Sequence, residues 1–238
     1  MGNDSLDIAR IFTDQGAVFV KSPAALTGTL QQVRAFIFDW DGVFNNAVKA
    51  GEGGSPFSEA DSMGINMLRF GYFLRTGEVL PVFLVTGEHN PAAAYLAGRE
   101  HYQAVFRKIP DKLAVLEPLE RQFGLQPDEL AFVFDDILDL GLAARVALRL
   151  VVNRSGSPLL NSFIERHNLA DYRTAHSGSG HAVREVCELC LGLWQQYDQA
   201  IAYRQAFHPR YQAYLAARKQ IGVQYYIWQN GVIVPDKV

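Results

Sequence analysis

Three short apolar runs, each breaking off in a polar cluster, constrain the fold more than any other feature of the chain. Val33-Arg34-Ala35-Phe36-Ile37-Phe38 ends at Asp39-Trp40-Asp41-Gly42, Val79-Leu80-Pro81-Val82-Phe83-Leu84-Val85 ends at Thr86-Gly87, and Leu130-Ala131-Phe132-Val133-Phe134 ends at Asp135-Asp136. Short, largely continuous runs rich in strand formers read as buried strands. Met63 to Leu74, Pro91 to Tyr102 and Lys112 to Phe123 have helical character, and Gly124 stops the last of them. Strands alternating with helices predict an α/β fold, a Rossmann-like parallel sheet with helices on both faces. Ligands of such sheets bind beyond the carboxyl ends of the strands, where all three polar clusters fall.

At 238 residues the chain is long enough for one main core with additional segments. A formal net charge of −3 offers no broad attraction to nucleic acid or anionic lipid, so partners must be read from a site. No stretch approaches the roughly 18 to 20 apolar residues of a membrane span, and a cytoplasmic location is expected. Met1-Gly2-Asn3-Asp4-Ser5-Leu6 resembles a myristoylation signal but carries Leu6 where Ser or Thr belongs. Cys187 and Cys190 lie in a segment whose apolar positions recur at helical spacing, so both thiols are expected to face a core. His89, His101, His167, His176, His181 and His208 have no metal-ligand spacing. Lys49 to Pro56, rich in Gly and polar residues, reads as a loop or hairpin tip. Beyond Leu193 the chain turns rich in Tyr, Gln and Arg, and a helix packed on the body or on a neighbouring subunit is expected.

The polar clusters carry the chemistry. Two carboxylates as close as Asp39 and Asp41 raise one another's pKa unless a cation intervenes. Magnesium is the natural candidate, being a hard ion that binds few carboxylates together with water and phosphate oxygens. Asp135-Asp136, with Asp139 beyond, can supply the missing ligand. Thr86 offers a hydroxyl to phosphate oxygens, and Lys112 a compact positive charge to a trianionic transition state. One carboxylate can then attack phosphorus while a second moves protons. Asp-x-Asp alone is weak evidence, and Lys112 after Asp111 is compatible with an ordinary helix start. The order of all four clusters gives them weight.

In this order the sequence resembles the haloacid dehalogenase superfamily, whose four motifs are matched by Asp39/Asp41, Thr86, Lys112 and Asp135/Asp136/Asp139. The resemblance implies catalytic roles for Asp39 as nucleophile, Asp41 as general acid/base, Thr86 and Lys112. It also implies Mg2+ held by Asp39, Asp135 and the backbone carbonyl of Asp41, with Asp136 and Asp139 orienting water, lysine or metal from outside. Gly42, Thr86, Gly87 and Arg184 are the expected phosphate and substrate contacts.

Closer similarity is to the 3-deoxy-D-manno-octulosonate 8-phosphate phosphatase group, over roughly residues 33 to 193. It rests on Asp39-Trp40-Asp41-Gly42-Val43, Phe57, Asp61, Gly64-Ile65, Asp111-Lys112, Ala170-Asp171-Tyr172 and Gly178-Ser179-Gly180-His181-Ala182-Val183-Arg184-Glu185. The last resembles a Gly-Gly-x-Gly-Ala-Val-Arg-Glu pattern. It implies a phosphatase domain over 33–193 with no large cap domain, an amino-terminal extension over 1–32, a carboxyl-terminal helical extension over 194–238, and a homo-tetramer. The short interval from Asp41 to Thr86 independently leaves little room for a lid.

Three departures concern the substrate. Ala60-Asp61-Ser62 stands for Arg-Asp-Gly, Thr86-Gly87-Glu88 for Thr-Gly-Arg, and Phe134 for the usual Gly, where its ring is expected to crowd the strand end. The expected activity is hydrolysis of a small phosphomonoester, a sugar or sugar-acid phosphate. The competing readings are a phospho-accepting receiver, disfavoured by Asp41, and a catalytically degenerate oligomeric binding or structural protein.

Overall fold

The structure, a computed structural model, describes residues 5–49, 51 and 54–236. Met1 to Asp4, in the stretch resembling an acylation signal, lie outside the described residues, as do Ala50, Glu52 and Gly53 of the Lys49–Pro56 loop. In chain order the elements are α1 (Ser5–Asp14), β1 (Val18–Phe19), α2 (Pro23–Gln32), β2 (Ala35–Asp39), α3 (Glu59–Thr76), β3 (Val82–Val85), α4 (Pro91–Glu100) and β4 (Ala104–Arg107). They continue with α5 (Leu116–Phe123), β5 (Leu130–Phe134), α6 (Leu140–Ala143), β6 (Leu148–Val151), α7 (Pro158–Arg166), β7 (Tyr172–Arg173) and α8 (Ala182–Leu193). Last come α9 (Tyr197–Gln205), α10 (Pro209–Arg218), β8 (Gln224–Gln229) and β9 (Val232–Pro235).

The strands form one nine-stranded sheet in the order β1-β7-β6-β5-β2-β3-β4-β8-β9, parallel except for β1 and β9 at its edges. Strand side chains alternate between its faces. Phe36, Phe38, Val82, Leu84, Ala131 and Val133 point into one core with α3 and α8. Ala35, Ile37, Phe83, Val85, Phe132 and Phe134 enter the other, with Val115, Leu119 and Ile164. Both faces of the central strands are therefore dry, which is why their sequences show no polar alternation. Within the first core α3 and α8 pack tightly: a Cβ on Gly64 would lie 3.0 Å from the Cα of Arg184.

Boundaries shift for local reasons. β3 begins at Val82, after Pro81, which has no N–H to give the ladder. α3 starts earlier than expected, at Glu59, because the Ser58 hydroxyl caps the Ala60 N–H at 3.1 Å. Lys112 to Phe123 divides into a tight 3-10 turn, Lys112–Val115, followed by α5, and Gly124 ends it with a φ of 65°. Helices α9 and α10 both lie against α3, α9 with Ala200 buried and α10 through Tyr211 and Tyr214, whose rings meet Phe70 at 5.0 and 5.4 Å. The tail is not wholly helical, however. Tyr225 and Tyr226 belong to β8, joined to β9 through Asn230-Gly231 at φ 52° and 85°, the left-handed pair that suits a two-residue hairpin turn. β8 pairs parallel with β4, so residues after Arg218 enlarge the sheet.

Candidate active site

β2 and β5 are hydrogen-bonded neighbours, so Asp39 at the end of one and Asp135 just past the other emerge side by side. Asp139 follows on the 3-10 turn Ile137–Asp139, where its Oδ2 accepts from the backbone N–H of Asp135 and Asp136 at 3.3 and 3.1 Å. Asp39, Asp135 and Asp139 are all buried, and each offers an oxygen within 4.8 Å of the others. Lys112, whose turn is opened by the Asp111 cap, reaches into this group. Its Nζ donates to Asp39 Oδ1 at 2.5 Å and to Asp139 Oδ1.

The cluster is electrostatically tense. Burial and the Asp139 and Asp135 carboxylates push Asp39 well above the usual range, although Lys112 pulls it down. Burial, then Asp139, push Asp135 up to about 6, opposed by Arg154. Burial alone would lower Lys112; Asp39 and Asp139 outweigh it and keep the ammonium charged. One atom has no compensation. Asp135 Oδ1 is buried with no hydrogen-bond partner among the described residues, and a buried carboxylate oxygen left so is costly. Buried, clustered hard oxygens with one orphan are the donor set that a divalent cation satisfies.

Asp41 stands apart. Its Oδ2 accepts from Lys49 Nζ at 2.5 Å and from Asn90 Nδ2 at 3.1 Å, and its Oδ1 is bonded by the Ser55 hydroxyl. Burial pushes this carboxyl up, but hydrogen bonds from Lys49, Ser55 and Asn90 outweigh burial and hold it below its ordinary value. Asn90 Nδ2 also donates to Thr86 Oγ1 at 2.7 Å, tying the end of β3 to Asp41. The turn after β2 needs Gly42: its φ is 90°, and a Cβ there would lie 2.0 Å from Asp135 Oδ2.

Gly87 is exposed at the end of β3. Asp136 caps the Ile137 N–H at 2.7 Å and receives Arg154 at 3.0 Å. Arg184, expected at the substrate, is engaged on its own helix, Nε to Glu188 Oε1 at 2.6 Å, while its backbone N–H donates to buried Asp61 at 3.0 Å. Phe134 does not crowd the acids; its ring stacks on Phe132 at 5.3 Å inside the core. Glu88 is exposed on an open cavity of about 470 Å³ lined also by Gly51, His89, Pro91 and Lys108. Cys187 and Cys190 are buried in α8 and burial pushes both thiols up.

Lys49, Ser55, Asn90 and Arg154 are not among the site residues expected from the sequence, which marks Lys49 and Ser55 only as part of a loop. Asn90 alone had a local signal, an Asn-Pro pair opening α4. The other three sit on loops whose reach is decided by the fold.

Known proteins share the fold. No family model matches the chain. The 3-deoxy-D-manno-octulosonate 8-phosphate phosphatase of Escherichia coli (strain K12) is 28% identical over 174 residues, 71% of this chain and 85% of that protein. A crystal structure described as a probable YrbI family phosphatase from Pseudomonas syringae is 26% identical, with a TM-score of 0.63, covering 76% of this chain and 98% of that one. The 3-deoxy-D-manno-octulosonate 8-phosphate phosphatase from Moraxella catarrhalis, crystallised with magnesium ion, phosphate ion and a KDO molecule, has the same fold at 23% identity and a TM-score of 0.60, over 74% and 96% of the two chains. Among the described residues no helix is long and apolar enough to cross a membrane. In fold, motif order and sequence the chain is similar to phosphatases of the haloacid dehalogenase type and, among them, to the 3-deoxy-D-manno-octulosonate 8-phosphate phosphatase group.

Proposed function

We propose that the protein hydrolyses a small phosphomonoester, a sugar or sugar-acid phosphate, through a phosphoryl group carried transiently on Asp39. The observation that carries this reading is the meeting of Asp39, Asp135, Asp139 and Lys112 at the carboxyl end of the sheet, with Asp135 Oδ1 left unpartnered. Asp39 and Asp135, with the Asp41 carbonyl, would hold Mg2+, which supplies charge neutralisation for the phosphoryl oxygens and favours the ionised form of Asp39. Lys112 lies against Asp39, positioned to meet negative charge gathering on the phosphoryl group.

The Asp39 carboxylate attacks phosphorus, the substrate's ester oxygen leaves with a proton, and water then cleaves the acyl phosphate, releasing inorganic phosphate. Asp41 carries the proton in both directions. Lys49, Ser55 and Asn90 hold it as a carboxylate, the form that accepts a proton from water; its acid role in the first step requires the Lys49 contact to open as substrate enters. Thr86 and the exposed Gly87 backbone would receive phosphate oxygens, and Gly42 keeps the approach to Asp135 free of side chain. Asp136 and Asp139 orient the loop and Lys112, and Arg184 would meet substrate only by leaving Glu188. Glu88, His89 and Lys108 on the adjoining cavity form a rim of mixed charge for the rest of the substrate. A cytoplasmic location and a homo-tetramer belong to the same reading; apolar Ile137 and Leu138 beside the acids, 66% and 69% exposed, suit a subunit interface.

Phosphate release from a panel of sugar and sugar-acid phosphates, with Mg2+, tests the activity. Wild type should turn over at least one member, and Asp39→Asn should lose about 10³-fold or more. A folded wild-type protein inert across the panel would instead favour a degenerate binding protein.

A further inference from the structure

Among the described residues two cations, Lys112 and Arg154, meet the Asp39, Asp135 and Asp139 cluster, and Arg154 has no place in the four-motif pattern. Arg154, beyond the end of β6, sends Nη1 to Asp135 Oδ2 at 2.6 Å and to Asp136 Oδ2 at 3.0 Å. Its backbone is pinned: the carbonyl accepts from the Ser157 N–H at 3.0 Å and from Asn161 Nδ2 at 3.3 Å. The side chain remains one-third exposed, while that of Asp135 is wholly buried. Arg154 therefore holds one oxygen of a carboxylate whose other oxygen has no partner.

We propose that Arg154, acting through Asp135, lowers the affinity of the site for its divalent cation by placing a permanent positive charge behind that carboxylate. The inference rests on the reading of the acidic cluster as a cation site. Affinity of carboxylate sites for hard divalent ions follows the charge of the donor set. When ionised, Asp39, Asp135 and Asp139 offer three negative charges with Asp136 a fourth beside them, of which Lys112 cancels one and Arg154, shared between Asp135 and Asp136, a second. A guanidinium cannot shed its proton to relieve the repulsion. The ion thus binds against Arg154, and occupancy depends on its supply.

The experiment titrates metal-free full-length protein with Mn2+ at low ionic strength, following free ion by electron paramagnetic resonance, for wild type, Arg154→Gln and Arg154→Lys. Circular dichroism checks that the variants are folded. Arg154→Gln should bind Mn2+ about tenfold more tightly, and Arg154→Lys, which keeps the charge, should stay within about threefold of wild type. Equal or weaker binding by Arg154→Gln overturns the proposal, weaker binding by both variants showing that orientation outweighs charge. Absence of Mn2+ binding in wild type and both variants would remove the cation site itself.

Discussion

At the scale of single residues, the acidic cluster makes stability depend on pH in a sense opposite to that of a surface salt bridge. Burial and Asp139 raise Asp135 to about 6, and burial with the Asp139 and Asp135 carboxylates raises Asp39 well above its ordinary range. An unfolded aspartate titrates near about 3.9. A carboxyl raised by folding contributes stability that is complete below its unfolded pKa and is lost as pH rises through its folded value. Metal-free protein should therefore weaken as pH climbs through about 6, and a divalent cation should restore what is lost, because it favours the ionised carboxylates. Thermal melts with and without Mg2+ should show a rise in Tm that is small near pH 5 and larger near pH 7.5. A Mg2+ effect that does not change across this range would separate metal binding from these carboxyls.

At the scale of elements, the turn after β2 and the loop before α8 are fitted to each other by missing side chains. A Cβ on Gly178 would stand 2.2 Å from the Asn45 carbonyl and 2.3 Å from that of Gly42, both backbone atoms of the turn carrying Asp41. Gly178→Ala must drive loop and turn apart, at about 1–3 kcal/mol of stability, with a marked fall in kcat as Asp41 is displaced; denaturant melts and steady-state kinetics would record both. Unaltered kinetics in a folded Gly178→Ala protein would contradict the fit. These contacts also mark what was legible beforehand. The central strands and their acids stood out because both sheet faces are buried, leaving unbroken apolar runs. β6 was hidden because Arg149 interrupts it to reach Asp171 at 2.5 Å. β8 and β9 were overlooked despite the Asn230-Gly231 turn, since their half-exposed faces mix Gln with Tyr and Trp. Lys49 and Arg154 reach the site from loops, and no spacing in the chain foretells which carboxylate a loop cation will find.

At the scale of the whole molecule, segments on either side of residues 33–193 are built into one sheet. β1 closes one edge against β7, and β8 with β9 extends the other, where Tyr226 stacks on Phe106 at 5.0 Å. The mouth of the site is left with Val48, Ile137 and Leu138 exposed, and apolar side chains beside a charged centre are suited to burial by another subunit. Gel filtration with light scattering should give the mass of four chains, and Ile137→Asp combined with Leu138→Asp should lower it; a monomeric wild type would contradict the tetramer. The whole proposed reaction depends on a phosphoryl group carried by Asp39. Its most direct test is to acid-quench the protein during turnover of a substrate found active with Mg2+ and to map phosphorylation by mass spectrometry. A phosphoryl adduct on the peptide containing Asp39, absent from Asp39→Asn, is the predicted result. Turnover that proceeds without an adduct and survives Asp39→Asn undiminished would contradict it.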